Sequence, residues 1–255
     1  MTTPNTDHWW QAFYLGPFQE LQLGGIHNDR APAEVTLLEQ NLKLEPHHRI
    51  LDAPCGQGRH TLELARRGYA VTRIDFNPNV LAHAQAVAES EGLRPRFDQQ
   101  DLRALSYESV FDRVLCLWGS FGYFSDTENL AQLQGMARAL KPGGALHLET
   151  WTTEGLFPQF RPRDWSWAEG RGQRYRLLEE RTFDIETSRA NVIWTFVCEG
   201  RNEIVSHRTS IRVYSYRELL ELLRTAGFQR FESYGGVTGK PYQFGSGRLG
   251  MVAWL

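Results

Sequence analysis

The chain has 255 residues, 41% hydrophobic and 23% charged, with a formal net charge of −2. This is the balance of a globular protein with one large α/β domain or a domain carrying an elaborated insertion, and it excludes a chain built mainly to hold nucleic acid, which would carry a basic excess. No apolar run reaches membrane-spanning length and Met1 to His8 lack the basic and apolar segments of a secretion signal, so no membrane partner and a cytoplasmic location are expected.

Near the N-terminus Trp9, Trp10, Phe13, Tyr14 and Phe18 fall on adjacent stripes of a short helix, a surface that something must cover. Asn28-Asp-Arg-Ala-Pro-Ala-Glu34 then supplies N-cap candidates, an early proline and an early acid, and Val35, Leu37, Leu38 and Leu42 continue a helix for the sheet. Arg49 to Asp52 reads as a strand, Ala53 to Gly58 as a tight loop and Thr61 to Arg67 as a helix. Such a loop presents unpaired backbone N–H groups and the positive end of a helix dipole to a ligand. Gly56 and Gly58 lack a β-carbon, so a ligand can approach the main chain closely. The residue three after Gly58 is Thr61, which leaves the Gly-x-Gly-x-x-Gly dinucleotide fingerprint incomplete.

A second strand, Tyr69 to Asp75, places an acid about 20 residues past the loop, where a carboxylate can accept both ribose hydroxyls of an adenosine. Asn77-Pro-Asn opens an alanine-rich helix, and Pro95 to Arg103 carries Asp101. Val114 to Leu117 reads as a buried strand from which Trp118-Gly-Ser-Phe-Gly-Tyr-Phe124 leaves the sheet edge. Ser125-Asp-Thr-Glu128 is a capping box, and Lys141-Pro-Gly-Gly144 turns into a fifth strand, Ala145 to Trp151. From about residue 152 arginines alternate with tryptophans and acids. Tyr175 to Asp184, Ala190 to Val197 and Ile204 to Tyr214 read as three extended strands of a small antiparallel sheet. A second capping box, Ser215 to Glu218, starts a helix, and Phe228 to Tyr234 pairs antiparallel with Leu249 to Leu255. Cys55, Cys116 and Cys198 are widely spaced and suggest neither a disulfide framework nor a metal site; Cys55 reads as a small packing residue.

Asp52 four residues before Gly56-Gln-Gly58, then Asp75, Asp101, Trp118 to Phe124 and Lys141 to Gly144 in that order, resembles the class I S-adenosylmethionine-dependent methyltransferases of bacterial small-molecule type. Pro54 departs from the glycine more often found there. The resemblance implies a Rossmann-like, doubly wound seven-stranded α/β sheet with a reversed final strand and an antiparallel β insertion after the fifth strand. It also implies one domain over 1–255, with residues 1–30 as an aromatic lid and 152–214 as the insertion near the substrate mouth. Carried onto this chain, it sets S-adenosylmethionine, and its product S-adenosylhomocysteine, against Tyr14, Asp52, Ala53, Gly56, Gly58, Arg59, Asp75, Phe76, Asp101, Leu102, Leu117 and Trp118. Arg59 is the candidate for the methionine carboxylate by charge-assisted hydrogen bonding. Tyr123, Trp151, Arg212 and Tyr214 are candidates for the acceptor pocket, with a small-molecule N or O nucleophile as acceptor. No general base and no metal are assigned, and a monomer or homodimer is expected. A nicotinamide-dependent oxidoreductase and a non-catalytic S-adenosylmethionine-binding protein stay open beside this reading.

Overall fold

The computed structural model describes residues 8–25, 27–201, 203–236 and 238–255; of the stretch Met1 to His8 read for a secretion signal, residues 1–7 lie outside that set. Seven strands form the main sheet: β1 (Arg49–Asp52), β2 (Ala70–Asp75), β3 (Arg96–Gln99), β4 (Phe111–Cys116), β5 (Leu140–Trp151), β10 (Arg230–Gly235) and β11 (Arg248–Trp254). Their spatial order is β10-β11-β5-β4-β1-β2-β3. The first five pair parallel where they adjoin, and β11 runs antiparallel to both β5 and β10. The expected reversed final strand is present. Near-continuous burial of β1, β2 and the second half of β4 follows from helices on both faces, as a parallel sheet requires.

One face packs α3 (Ala31–Leu42) and α4 (Arg59–Arg66) through Val35, Leu38, Leu42 and Leu64 onto Ile50, Leu115 and Val252. The other carries α6 (Asp126–Ala139) and α8 (Tyr216–Thr225), whose Leu133, Met136, Leu219 and Leu223 meet Leu146, Leu148 and Phe228. Both predicted capping boxes form, Ser125 with Glu128 and Ser215 with Glu218. The helix α5 (Pro78–Ser90) is capped by Asn77, whose side chain accepts the Asn79 N–H. Asn28 and Asp29 do not cap α3: they lie in a preceding 3₁₀ turn, and Arg30 holds the cap position without a side-chain bond. Lys141 to Gly144 bulge out of β5 opposite Asp112, where Lys141 Nζ lies 2.9 Å from the Asp112 carboxylate.

After β5 and the short α7 (Thr153–Leu156), four strands rather than the expected three form the second sheet: β6 (Arg163–Gly170), β7 (Gln173–Asp184), β8 (Arg189–Cys198) and β9 (Ile204–Arg212), an antiparallel meander. The N-terminal helices α1 (Trp9–Leu15) and α2 (Pro17–Leu23) lie against it. Phe13 packs on Trp194 and Phe196, and a β-carbon on Gly24 would come within 2.3 Å of Gly170 Cα. The aromatic helix is thus covered by the insertion on one side. On its other side it meets the carboxyl ends of the parallel strands, through Trp10 against Phe76 and Trp9 against Tyr123.

Candidate active site

The parallel strands β1, β2, β3 and β4 all release their loops on one edge, and these loops enclose a cleft capped by α1 and α2. Its floor is Gly56, whose φ of +52° suits a residue without a β-carbon; a β-carbon added there would face only Gln22 Nε2, 3.5 Å away. Asp75, at the end of β2, spans the floor: Oδ2 accepts the Gly56 N–H and Oδ1 the Asn77 N–H, each at 2.9 Å. A carboxylate offers about four lone-pair sites, so Asp75 retains acceptor capacity for a donor from the cleft. Burial pushes this carboxyl up to about 6 against the backbone hydrogen bonds that favour its charge.

Beyond β3, Asp101 and Leu102 form the far wall with Gln100. Asp101 caps a 3₁₀ turn by accepting the Arg103 N–H at 2.9 Å, and the Arg103 guanidinium holds its carboxyl below the usual range. Opposite, Leu117, Trp118 and Tyr123 follow β4. Trp118 adopts φ +58°, a left-handed conformation uncommon for a bulky side chain and concentrated at functional sites. Its N–H donates to the buried Glu149 carboxylate at 2.9 Å. Tyr14 of α1 hydrogen-bonds the Tyr123 hydroxyl at 2.6 Å, and burial raises its pKa to about 12 and that of Tyr123 well above the ordinary phenol value.

Arg59 opens α4 at the cleft wall, its guanidinium 4.4 Å from the Trp118 ring centroid. Nη1 lies 2.5 Å from Glu34 Oε2 and donates to the His27 carbonyl at 3.3 Å, whereas Nη2 is buried without a partner among the described residues. A guanidinium with a buried unmatched donor, a carboxylate with free lone pairs and a glycine floor open to a ligand fit the carboxylate, ribose and close backbone approach of S-adenosylmethionine.

Ten of the residues expected from sequence therefore share this cleft: Tyr14, Gly56, Arg59, Asp75, Phe76, Asp101, Leu102, Leu117, Trp118 and Tyr123. Asp52, Ala53 and Gly58 do not line it. Asp52 lies beneath the loop, accepting the Thr61 hydroxyl at 2.6 Å, and Gly58 faces the buried Arg73. Three acceptor candidates lie elsewhere. Arg212 points from β9 to Asp126 and Glu218, and Tyr214 donates to Asp126 at 2.6 Å and accepts from Asn129 at 3.1 Å, because the end of β9 faces the N-termini of α6 and α8. Trp151 sits outside the cleft lining beside Gly119 and Arg248.

The sequence reading did not place Gln22, His27, Asn77 and Gln100 in the lining, nor Glu34 behind it. Asn77 was legible only as a cap, and it also donates to the Tyr14 carbonyl at 3.1 Å, tying α1 to the cleft. A signal for Glu34 does exist: it falls with Ala31, Val35 and Leu38 on the buried stripe of α3, where an unpartnered carboxylate would be costly.

Residues 50–144 match the family model described as "Methyltransferase domain". The chain is 32% identical over 148 residues to a glycine/sarcosine N-methyltransferase from Parasynechococcus marenigrum, covering 56% of this chain and 52% of that one. The chain spans about half the length of the curated relatives it matches, between 40% and 58%. Among solved structures it is similar to an S-adenosylmethionine-dependent methyltransferase from Clostridium acetobutylicum, with a TM-score of 0.74 at 16% identity over 96% of this chain and 97% of that one. It is also similar to an amino pentose methyltransferase from Micromonospora echinaspora solved with S-adenosylmethionine bound, with a TM-score of 0.64 at 23% identity over 96% and 95%. At those identities the structural likeness concerns the fold. The matched segment runs from β1 into β5, and the sheet order together with the structural likeness gives the chain the Rossmann-like fold of the S-adenosylmethionine-dependent methyltransferases it resembles.

Proposed function

We propose that the protein transfers a methyl group from S-adenosylmethionine to the nitrogen of a small-molecule acceptor. The observation that carries this reading is the convergence of Gly56, Asp75, Asp101 and Trp118, from four successive strand ends, on one cleft. In this reading Asp75 accepts the ribose hydroxyls, Asp101 and Leu102 border the adenine, and Arg59 receives the methionine carboxylate. When bound, the cofactor supplies an activated methyl carbon and a good leaving group. What remains for the chain is to orient an acceptor and exclude water. Tyr14 and Tyr123 close the end beside Leu117 and Trp118; both hydroxyls are held protonated by burial and suit the orientation of a neutral amine better than the deprotonation of a hydroxyl.

In this proposal the chain is one domain, the described part of the 1–30 segment acts as the lid, and the 152–214 insertion lies near the substrate site. The acceptor nitrogen is favoured by the relatives whose printed names describe N-methyltransferases. The test is incubation with methyl-labelled S-adenosylmethionine and separate pools of small primary amines, small alcohols and oligonucleotides. Label in the amine pool is expected. Label confined to alcohols or oligonucleotides would overturn the acceptor class. Cofactor binding without transfer to any pool would favour a non-catalytic role, and binding of NAD in its place would favour an oxidoreductase.

A further inference from the structure

The buried carboxylate of Glu34 belongs to α3, outside the glycine loop and the strand ends, yet three cleft-side groups meet on it. Its Oε2 lies 2.5 Å from Arg59 Nη1 and 2.7 Å from His60 Nε2, and the Trp118 indole N–H approaches it at 3.4 Å. Glu34, Arg59 and His60 are all at most 9% exposed. Burial alone would raise the Glu34 pKa, but the His60 hydrogen bond and the charges of His60 and Arg59 outweigh it and bring the carboxyl down to about 2. It therefore stays charged at neutral pH and acts as a fixed anion joining α3, the first turn of α4 and the loop after β4.

Arg59 depends on this contact. A free arginine side chain samples many rotamers, and ordering one costs about 2 kcal/mol of conformational entropy. Here the guanidinium is fixed on three sides: Glu34 holds Nη1, the His27 carbonyl accepts from the same nitrogen, and the Trp118 ring lies 4.4 Å from its centre. Among the described residues Nη2 remains as the unmatched donor.

We propose that Glu34 is a positioning residue: it fixes Arg59 and Trp118 so that Arg59 can receive the methionine end of the cofactor, without itself touching the cofactor. This rests on the cofactor reading given above. Two effects oppose one another when Glu34 is removed. Arg59 loses its tether, which weakens carboxylate binding, while a competing negative charge disappears, which strengthens it. The short contact and full burial make the tether the larger effect, since a mobile arginine must be re-ordered at every binding event.

The experiment is calorimetric titration of the full chain with S-adenosylhomocysteine and with 5′-methylthioadenosine, which shares the adenosine and thioether but lacks the amino-acid end. Wild type, Glu34→Gln, Glu34→Ala, Arg59→Gln and the Glu34→Ala/Arg59→Gln pair are compared. Glu34→Ala is expected to lose about tenfold in S-adenosylhomocysteine affinity and less than about twofold for methylthioadenosine, with Glu34→Gln intermediate because its amide oxygen still accepts from Arg59. The double variant should be no weaker than Arg59→Gln alone. Parallel loss for both ligands would mean a general structural role, and tighter S-adenosylhomocysteine binding would mean a mere counter-charge; either overturns the proposal. A wild-type protein that binds methylthioadenosine but shows no gain from the amino-acid end would leave the adenosine site standing and remove the role of Arg59 and Glu34. Failure to bind either ligand would remove the cofactor reading and this proposal with it.

Discussion

Asp75 Oδ2 accepts the backbone N–H of Gly56 at 2.9 Å, so the end of the second strand and the floor of the glycine loop are one hydrogen-bonded unit. The same carboxylate holds the Asn77 N–H at the start of α5. One side chain thus fixes the loop, the helix entry and the proposed ribose site. Replacement of Asp75 by alanine is expected to weaken S-adenosylmethionine binding by about 1–3 kcal/mol, roughly 5- to 150-fold. Calorimetry checks this, and unchanged affinity would remove Asp75 from the site.

The pH dependence of binding follows from the same carboxyl. Its pKa is raised from 3.8 to about 6 by burial. Between those values the folded protein binds more protons than the unfolded chain, so this group's contribution to stability is present below about pH 4 and is lost as pH rises through 6. Cofactor affinity runs the opposite way, because ribose hydroxyls donate best to the ionised form. S-adenosylmethionine affinity should therefore fall as pH is lowered from 7 to 5 in wild type and stay flatter in Asp75→Asn. A fall of equal size in both would assign the dependence to another group.

Gly58 is required for packing beneath the loop. Its φ is +82°, and a β-carbon there would lie 2.4 Å from Arg73 Nη1 and 3.0 Å from Ala84 Cβ. Arg73 cannot yield, being fully buried over the Phe97 ring and bonded through Nη2 to the Leu81 carbonyl at 2.8 Å. Gly58→Ala should cost about 2–4 kcal/mol from left-handed strain and overpacking together. Gly68→Ala, with φ +90° and open space, should cost about 1 kcal/mol. Thermal denaturation of the two variants separates the contributions, and equal losses would contradict the packing argument.

The fold was legible wherever local chemistry and period agreed. Strand-loop-helix at Arg49 to Arg67, the acid closing β2, both capping boxes and the reversed final pair are encoded by residues near in sequence. The strand Arg163–Gly170 was missed because Trp165 and Trp167 lie on an exposed edge, so its burial does not alternate as an inward-facing strand would. The available signal was Arg171-Gly172, both at positive φ, the two-residue turn that joins β6 to β7. Two acceptor candidates lie outside the cleft for a different reason. Arg212 and Tyr214 have the chemistry of a substrate site, but which side of β9 meets α6 is decided by tertiary pairing, with the Arg212 N–H donating to the Gly122 carbonyl at 2.7 Å. Glu34 was passed over because an early acid in a helix ordinarily serves the dipole.

Tyr14 and Tyr123 offer a test of the lid. The two hydroxyls bond one another at 2.6 Å and Tyr123 has a further side-chain partner in Ser120, so Tyr123→Phe takes from Tyr14 its hydroxyl partner while Tyr14→Phe leaves Tyr123 with Ser120 alone. Tyr14→Phe and Tyr123→Phe should each lower stability by about 1–2 kcal/mol, and the double variant by less than their sum. Denaturant titrations of the four proteins measure this coupling; strict additivity would mean that the two hydroxyls do not depend on one another.

The most direct measurement is a crystal structure of the protein grown with S-adenosylhomocysteine. The account predicts ribose hydroxyls on the Asp75 carboxylate, adenine beside Asp101 and Leu102, and the sulfur directed toward Trp118 and Tyr123. Adenosine bound away from the cleft between Gly56, Asp75 and Asp101, or a cleft that stays empty at saturating ligand, would contradict it.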